Sequence, residues 1–331
     1  MAVWQRRGML ASALFPFSLL FAGLVAVRRA FYRFGLIASE RLPVSVVVVG
    51  NITVGGSGKT PVVINLAQAL RARGKRPGII SRGYRGAAVA QCVTAESDPA
   101  QVGDEPLLLA RRAACPVFVG RDRVVAAKAL LAQHPDVDVI ISDDGLQHYR
   151  LARDCEIAVF DRRGVMNGLP LPAGPLREPT SRLASVDALV LNGIAVSPTP
   201  TFGHPVFLMD LLAARFYRLD DPAIQCTAAD FSGKALHAVA GIGDPSRFFE
   251  QLAALGLTSN NHAFDDHHAY RADELDFTGD ALLTTEKDAV KLARLSLSLP
   301  VWVLPVTAEV KPDLAAFVAI VLEKIDGRTP A

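Results

Sequence analysis

The chain reads as an α/β protein. A parallel sheet with helices on both faces comes first, then a second, smaller α/β domain, with an apolar helix ahead of both. Three observations carry this. Continuous β-branched runs such as VSVVVVG at 44–50 suit strands buried on both faces. Segments with helical spacing lie between the runs, the pattern of βαβ units. The alternation lapses over 195–232, which carries Pro198, Pro200, Pro205 and Pro222, and restarts at Ala235.

The elements follow in order. Residues 1–35 hold Arg6, Arg7, Arg28, Arg29 and Arg33 and no acidic residue, a formal +5 that leaves −3 for the rest of a chain of total +2. Between the arginine pairs, Gly8–Val27 is twenty residues without a charge. As a helix it is about 30 Å long, a bilayer's hydrocarbon thickness. Basic flanks around an uncharged run suit a lipid interface. No small-x-small cleavage site follows, which argues against a signal peptide, and Pro16 weakens a spanning helix. Spanning the bilayer and lying on it both stay open.

Val44–Gly50 is the first strand of the sheet and Val62–Arg73 the next helix. Arg76–Ile80, Pro116–Val119, Val137–Ser142 and Glu156–Phe160 are further strands, with helices at Glu105–Ala113 and Arg123–Gln133. Residues 164–180 read as loop, and Ala188–Leu191 as another strand. From Ala235 come a strand, a helix at Pro245–Leu255, the strand LLTT, a helix from Lys287, the strand VWVLPV and a C-terminal helix to about Ile325. The expected divisions are 1–35 for the membrane-associated helix, 36–200 for the main domain, 201–234 for a linker and 235–331 for the smaller C-terminal domain.

Composition excludes several classes. Half the residues are hydrophobic and mean hydropathy is +0.27, which rules out a disordered chain. A net charge of +2 gives no footprint for nucleic acid, so none is expected as a partner. Cys92, Cys115, Cys155 and Cys226 form no CxxC pair. They suggest a reducing compartment and read as buried small hydrophobes.

The strongest chemical signal is GNITVGGSGKTP at 50–61, between a buried strand and a helix. The generic phosphate loop (P-loop) is G-x-x-x-x-G-K-[ST]; here Thr53 stands where its first Gly would be, and the remainder fits. Thr53, Val54, Gly55, Gly56, Ser57, Gly58, Lys59 and Thr60 are the expected nucleotide cradle. Backbone N–H groups and the helix N-terminus would face phosphate, Lys59 the β/γ-phosphates and Thr60 a Mg²⁺ ion. Asp143 and Asp144 end the run VDVIIS, where acids beside a phosphate loop suit Mg²⁺. Gln147 and His148 follow closely. Asp104, in GDEP, reads from spacing alone as a helix N-cap. Arg177 and Glu178 lie in the loop GPLREP, where Arg suits a phosphate and Glu a metal. In TTEKD, Lys287 and Asp288 are adjacent, so the guanine-reading T-K-x-D spacing fails.

Together GNITVGGSGKTP, SRGYRG (81–86), GDEP (103–106), SDDGLQH (142–148), GPLREP (174–179), DHHAY (266–270) and TTEKDAVK (284–291) resemble the tetraacyldisaccharide 4′-kinase family, the lipid A 4′-kinases of Gram-negative bacteria. The resemblance covers nearly the whole chain. It implies a P-loop NTPase-like domain and a second α/β/α domain joined by a small β linker. It implies ATP as donor, the 4′-hydroxyl of an acylated glucosamine disaccharide 1-phosphate as acceptor, and work at the cytoplasmic face of the inner membrane. It implies that Asp104 is the catalytic base and His267 its partner, with Lys59 also catalytic. Mg²⁺ would lie among Thr60, Asp143, Asp144 and Glu178, with Arg177, Gln147 and His148 in support. Because Asp104 and His267 fall in different domains, the domains must close to assemble them. The alternatives are another membrane-associated P-loop NTPase, such as a metallochaperone-type GTPase, or a nucleotide-binding regulatory module. The failed guanine motif weighs against the GTPase.

Overall fold

A computed structural model describes residues 2–83, 89–193, 202–213 and 215–326. Residues 84–86 of SRGYRG and the boundary expected at 200 lie outside them. The elements are α1 (Ala2–Gln5), α2 (Met9–Arg33), β1 (Ser45–Gly50), α3 (Lys59–Ala72), β2 (Pro77–Ser81), β3 (Gln91–Val93), α4 (Pro99–Val102), α5 (Asp104–Arg112), β4 (Val117–Val119), α6 (Arg123–Gln133), β5 (Val139–Asp143), β6 (Cys155–Asp161) and β7 (Ala188–Asn192). Then follow β8 (Val206–Leu212), β9 (Phe216–Arg218), β10 (Gln225–Cys226), β11 (Leu236–Ala240), α7 (Pro245–Ala254), β12 (Asn260–Ala263), β13 (Ala281–Thr285), α8 (Glu286–Leu292), β14 (Val301–Leu304), β15 (Thr307–Lys311) and α9 (Leu314–Asp326).

Among the described residues the first sheet runs β15-β8-β7-β6-β1-β5-β2-β4-β3. From β8 to β4 every neighbouring pair is parallel. The edge strands β15 and β3 pair antiparallel. The β-branched run at 44–50 is explained by two-sided burial. Val47 and Val49 pack with Leu66 and Leu70 of α3 on one face, and Val46 and Val48 with Leu130 of α6 on the other. β1 lies between β5 and β6, so the order reverses there and the loop after β1 opens at a switch point, the usual ligand crevice of such sheets.

The second sheet runs β10-β9-β14-β13-β11-β12. α7 packs on one face through Phe248 and Leu252, and Leu292 of α8 on the other. The expected boundaries need correction. The stretch taken as a linker supplies β8 to the first sheet and β9 and β10 to the second. The C-terminal segment does not stay in the smaller domain. β15 pairs with β8, and Val318 and Leu322 of α9 are buried in the core beside α3. A polar-edged strand and a largely apolar helix give no sign, in sequence, of which sheet they join.

α2 continues through Pro16. It lies against the first domain along its length. The Ser18 hydroxyl accepts the Ala173 N–H at 2.9 Å, and Arg29 donates to Ser185 at 3.1 Å. The ring of Tyr32 lies 5.7 Å from that of Tyr149. Ala11 and Ser18 are buried on this side. Leu10, Phe17, Leu20, Leu24, Val27 and Phe31 form an exposed apolar stripe at spacings of three, four and seven. The cysteines also depart from expectation: only Cys155 is buried, and Cys92 is exposed.

Candidate active site

The loop after β1 needs glycine where the expected cradle places it. Gly58 has φ 88°. A Cβ there would fall 2.2 Å from Nδ2 of Asn192, so the position admits no side chain. Thr53 is buried and bridges to Leu176, and Val54 N–H donates to the Pro175 carbonyl at 2.9 Å. The 164–180 loop therefore braces the phosphate loop from outside. Gly56 to Thr60 line a cleft of about 630 Å³ between the two sheets, together with Glu105, Asn192, Arg247 and Lys287.

Asp143 and Asp144 are neighbours with opposite electrostatics. Asp143 ends β5, is fully buried and accepts a hydrogen bond from Ser81 at 3.3 Å. Burial, with the charges of Glu105 and Asp144, pushes it up to about 7. Asp144 has φ 49°, a left-handed conformation costly for a non-glycine residue. It sits 3.5 Å from Nζ of Lys59 and 2.9 Å from Nη1 of Arg177. Burial opposes its charge, but these two cations hold it well below the usual carboxylate range. Arg123, wholly buried, donates to the Asp143 carbonyl at 2.8 Å and fixes the end of β5.

Among the described residues, Ser57 Oγ and Asp143 Oδ1 are buried without a hydrogen-bond partner. Thr60, Asp143 and Asp144 offer hard oxygens, the donor type that fits a magnesium ion, and Asp143 Oδ1 is left free for one. Glu178, the fourth expected ligand, is tied to neighbouring side chains in this structure. Its Oε2 accepts from Gln147 at 2.8 Å and its Oε1 from the Tyr149 hydroxyl, with Arg182 at 3.9 Å. Glu178 thus anchors Gln147 and Tyr149. Gln147 also donates to the Asn51 carbonyl at 3.0 Å, tying the loop after β5 to the loop after β1. Burial and nearby arginines lower the His148 pKa to about 4, which favours the neutral imidazole.

Asp104 and His267 meet. His267 Nδ1 lies 3.0 and 3.1 Å from the two oxygens of Asp104. The N-cap of α5 is Gly103, not Asp104. Asp104 is the first helical residue, and its carboxylate accepts the Glu105 N–H at 3.0 Å. His267 has φ 62°, so it too is held in a strained backbone state. Burial would raise the Asp104 pKa, but the hydrogen bond from His267, with Lys287 and Lys291, draws it down to about 2. That bond in turn raises His267 above its ordinary value, against burial.

Two lysines at the dyad escaped the sequence reading. Lys287 donates to Glu105 at 3.0 Å and to Asp266 at 2.9 Å, and faces His267 Nε2 at 3.5 Å. Lys291 lies 3.7 Å from Asp104 and 3.1 Å from Asp288. Each dyad member thus has its chain neighbour tied to one ammonium. TTEKDAVK carried the signal, since Lys287 and Lys291 are four apart on one helical face. The comparison with a guanine motif hid it.

The dyad has a pH signature. Asp104's contribution is complete above its unfolded value of about 3.9 and is lost as pH falls through about 2. His267's contribution is complete below about 6.5 and is lost as pH rises through its raised folded value. The pair therefore stabilises the seam most between about pH 4 and 6.5. Urea midpoints should fall above that window in the wild type relative to His267→Gln; parallel profiles would contradict the pairing.

The chain matches the family model described as tetraacyldisaccharide-1-P 4′-kinase over residues 10–325. It is 52% identical to the tetraacyldisaccharide 4′-kinase of Azoarcus sp. (strain BH72), over 99% of this chain and 96% of that one. It is 51% identical to that of Chromobacterium violaceum, over 98% of each. It is similar in structure to an "apo" form of LpxK from Aquifex aeolicus solved in complex with ATP. The TM-score is 0.78 at 31% identity, over 95% of this chain and all of that one. With the family model spanning residues 10–325 and relatives about half identical over nearly the whole length, the chain belongs to the tetraacyldisaccharide 4′-kinase family.

Proposed function

We propose that this chain transfers the γ-phosphate of ATP to the 4′-hydroxyl of a tetraacyldisaccharide 1-phosphate, the lipid A reaction for which its relatives are named. The observation that carries the mechanism is the Asp104–His267 contact across the seam. The dyad's neighbours Glu105 and Lys287 line the same cleft as Lys59 and Thr60. This supports Asp104 as a base acting beside the phosphate site.

Phosphoryl transfer needs positioning and charge neutralisation more than covalent help. Gly55 to Thr60 hold the triphosphate, with Lys59 on its terminal oxygens. Thr60, Asp143 and Asp144 would hold Mg²⁺, which when bound spreads the negative charge of the β- and γ-phosphates. Asp104 accepts the sugar hydroxyl's proton. Its low pKa keeps it ionised at neutral pH, and His267, in contact with both of its oxygens, holds the carboxylate in place. Lys287 holds Glu105 and Asp266, and so the spacing of the dyad.

The exposed stripe of α2 supports a helix lying in the plane of the membrane, with its Ala11 and Ser18 side on the protein. This reading assigns the enzyme to the inner membrane's cytoplasmic face, the side that supplies ATP.

Labelled ATP with a micelle-dispersed lipid disaccharide tests the chemistry. Wild type transfers label to the lipid. Lys59→Ala and Asp104→Ala each lose about 10²–10⁴-fold in kcat, and Asp104→Ala still binds ATP. ATP hydrolysis without lipid labelling, or full kcat in Asp104→Ala, would overturn this reading. Flotation tests the attachment. Wild type binds vesicles of phosphatidylethanolamine and phosphatidylglycerol, and Leu20→Glu combined with Leu24→Glu lowers the bound fraction about tenfold or more. Undiminished binding by the folded variant would rule out the stripe.

A further inference from the structure

Three arginines crowd the seam beside the phosphate loop. Arg162 pairs with Asp244 at 3.2 Å and Glu250 at 2.7 Å. Arg163 pairs with Asp161 and donates to the carbonyls of Gly56 and Gly243. Arg247, in the first turn of α7, is different. It is partly buried, and among the described residues its guanidinium meets no carboxylate within ion-pair distance. Its Nη2 donates to the neutral oxygen of Asn192 at 2.7 Å. Burial disfavours its charge, and Asp161 and Asp244 offset that only from a distance. A guanidinium taken from water without an anion is costly and is retained where an anion arrives.

Its surroundings indicate which anion. Asn192 ends β7, and its Nδ2 donates to the Ser57 carbonyl at 3.3 Å. Arg247 therefore stands one side-chain amide away from the phosphate loop, and it lines the same cleft as Gly56 to Thr60. The cleft's lysines are already matched: Lys59 lies beside Asp144, and Lys287 between Glu105 and Asp266. Arg247 is the cleft cation whose present partner is neutral and so easily surrendered.

We propose that Arg247 binds the polyphosphate of the nucleotide, supplied in cis by the second domain. This rests on reading the cleft as the ATP site. The guanidinium's planar fork suits two phosphate oxygens at once. In phosphoryl transfer such a cation stabilises charge spreading over the transferring group. Asn192 would hold the fork aimed at the loop before the nucleotide enters, so the second domain's closure and the phosphate contact become one event.

The test compares nucleotides and variants of the full chain. Arg247→Ala should weaken ATP binding about tenfold or more in competition assays while changing AMP binding less than twofold, and should lower kcat for lipid phosphorylation. Arg247→Lys should recover part of both. Asn192→Ala should cost less ATP affinity than Arg247→Ala. Wild-type ATP affinity in a folded Arg247→Ala variant would overturn the proposal. So would equal losses for AMP and ATP, or an Asn192→Ala variant matching Arg247→Ala, since both describe a merely structural brace. ATP binding by the wild type without lipid phosphorylation would break the kinase reading, while the affinity comparison would still decide the role of Arg247.

Discussion

The arrangement depends on the packing of α5 against α8 across the seam. Val290 of α8 is buried in the same core as Leu107 and Leu109 of α5, although the two helices belong to different sheets. Ion pairs surround this contact. Arg112 meets Glu286, Lys287 meets Glu105, and Lys291 approaches Asp104. The apolar contact sets the distance and the charges set the register. Since both helices begin at the seam, their first turns bring Glu105 and Lys287 to the cleft. His267 then comes within reach of Asp104 from the loop after β12.

The two carboxylates after β5 show how a short chain segment supports two chemical states. Asp143 points into the protein, where burial raises its pKa; Asp144 turns out between Lys59 and Arg177, which hold its charge. Adjacent groups with opposed shifts are a common way to separate roles within a site. The left-handed backbone at Asp144 makes the divergence possible, and its ion pairs oppose relaxation. His267 repeats the device in the second domain. In both places backbone strain is balanced by a charged partner.

Much of this was legible in the sequence because it rests on local rules. The run at 44–50 forecast a strand buried on two faces, and Gly58-Lys59-Thr60 forecast a loop opening a helix. What was not legible depends on contacts distant in the chain. Nothing local says that residues 307–326 return to the first sheet, since an apolar helix fits either core. Glu178 read as a metal ligand because a loop acid looks free; Tyr149 and Gln147 reach it only in the fold. Asp104 read from spacing as a cap, and the family resemblance, not local pattern, paired it with His267. Arg247 had no signal at all, because a lone arginine at a helix start is ordinary until its missing acid is seen.

The central claim is that Asp104 and His267 act as one unit assembled across the seam. A double-mutant cycle on kcat for lipid phosphorylation tests it most directly, with Asp104→Asn, His267→Ala and the pair together. The account predicts strong non-additivity, the double variant being about as slow as Asp104→Asn alone. Independent, multiplicative losses would show that the two residues serve separate tasks, and would contradict the account.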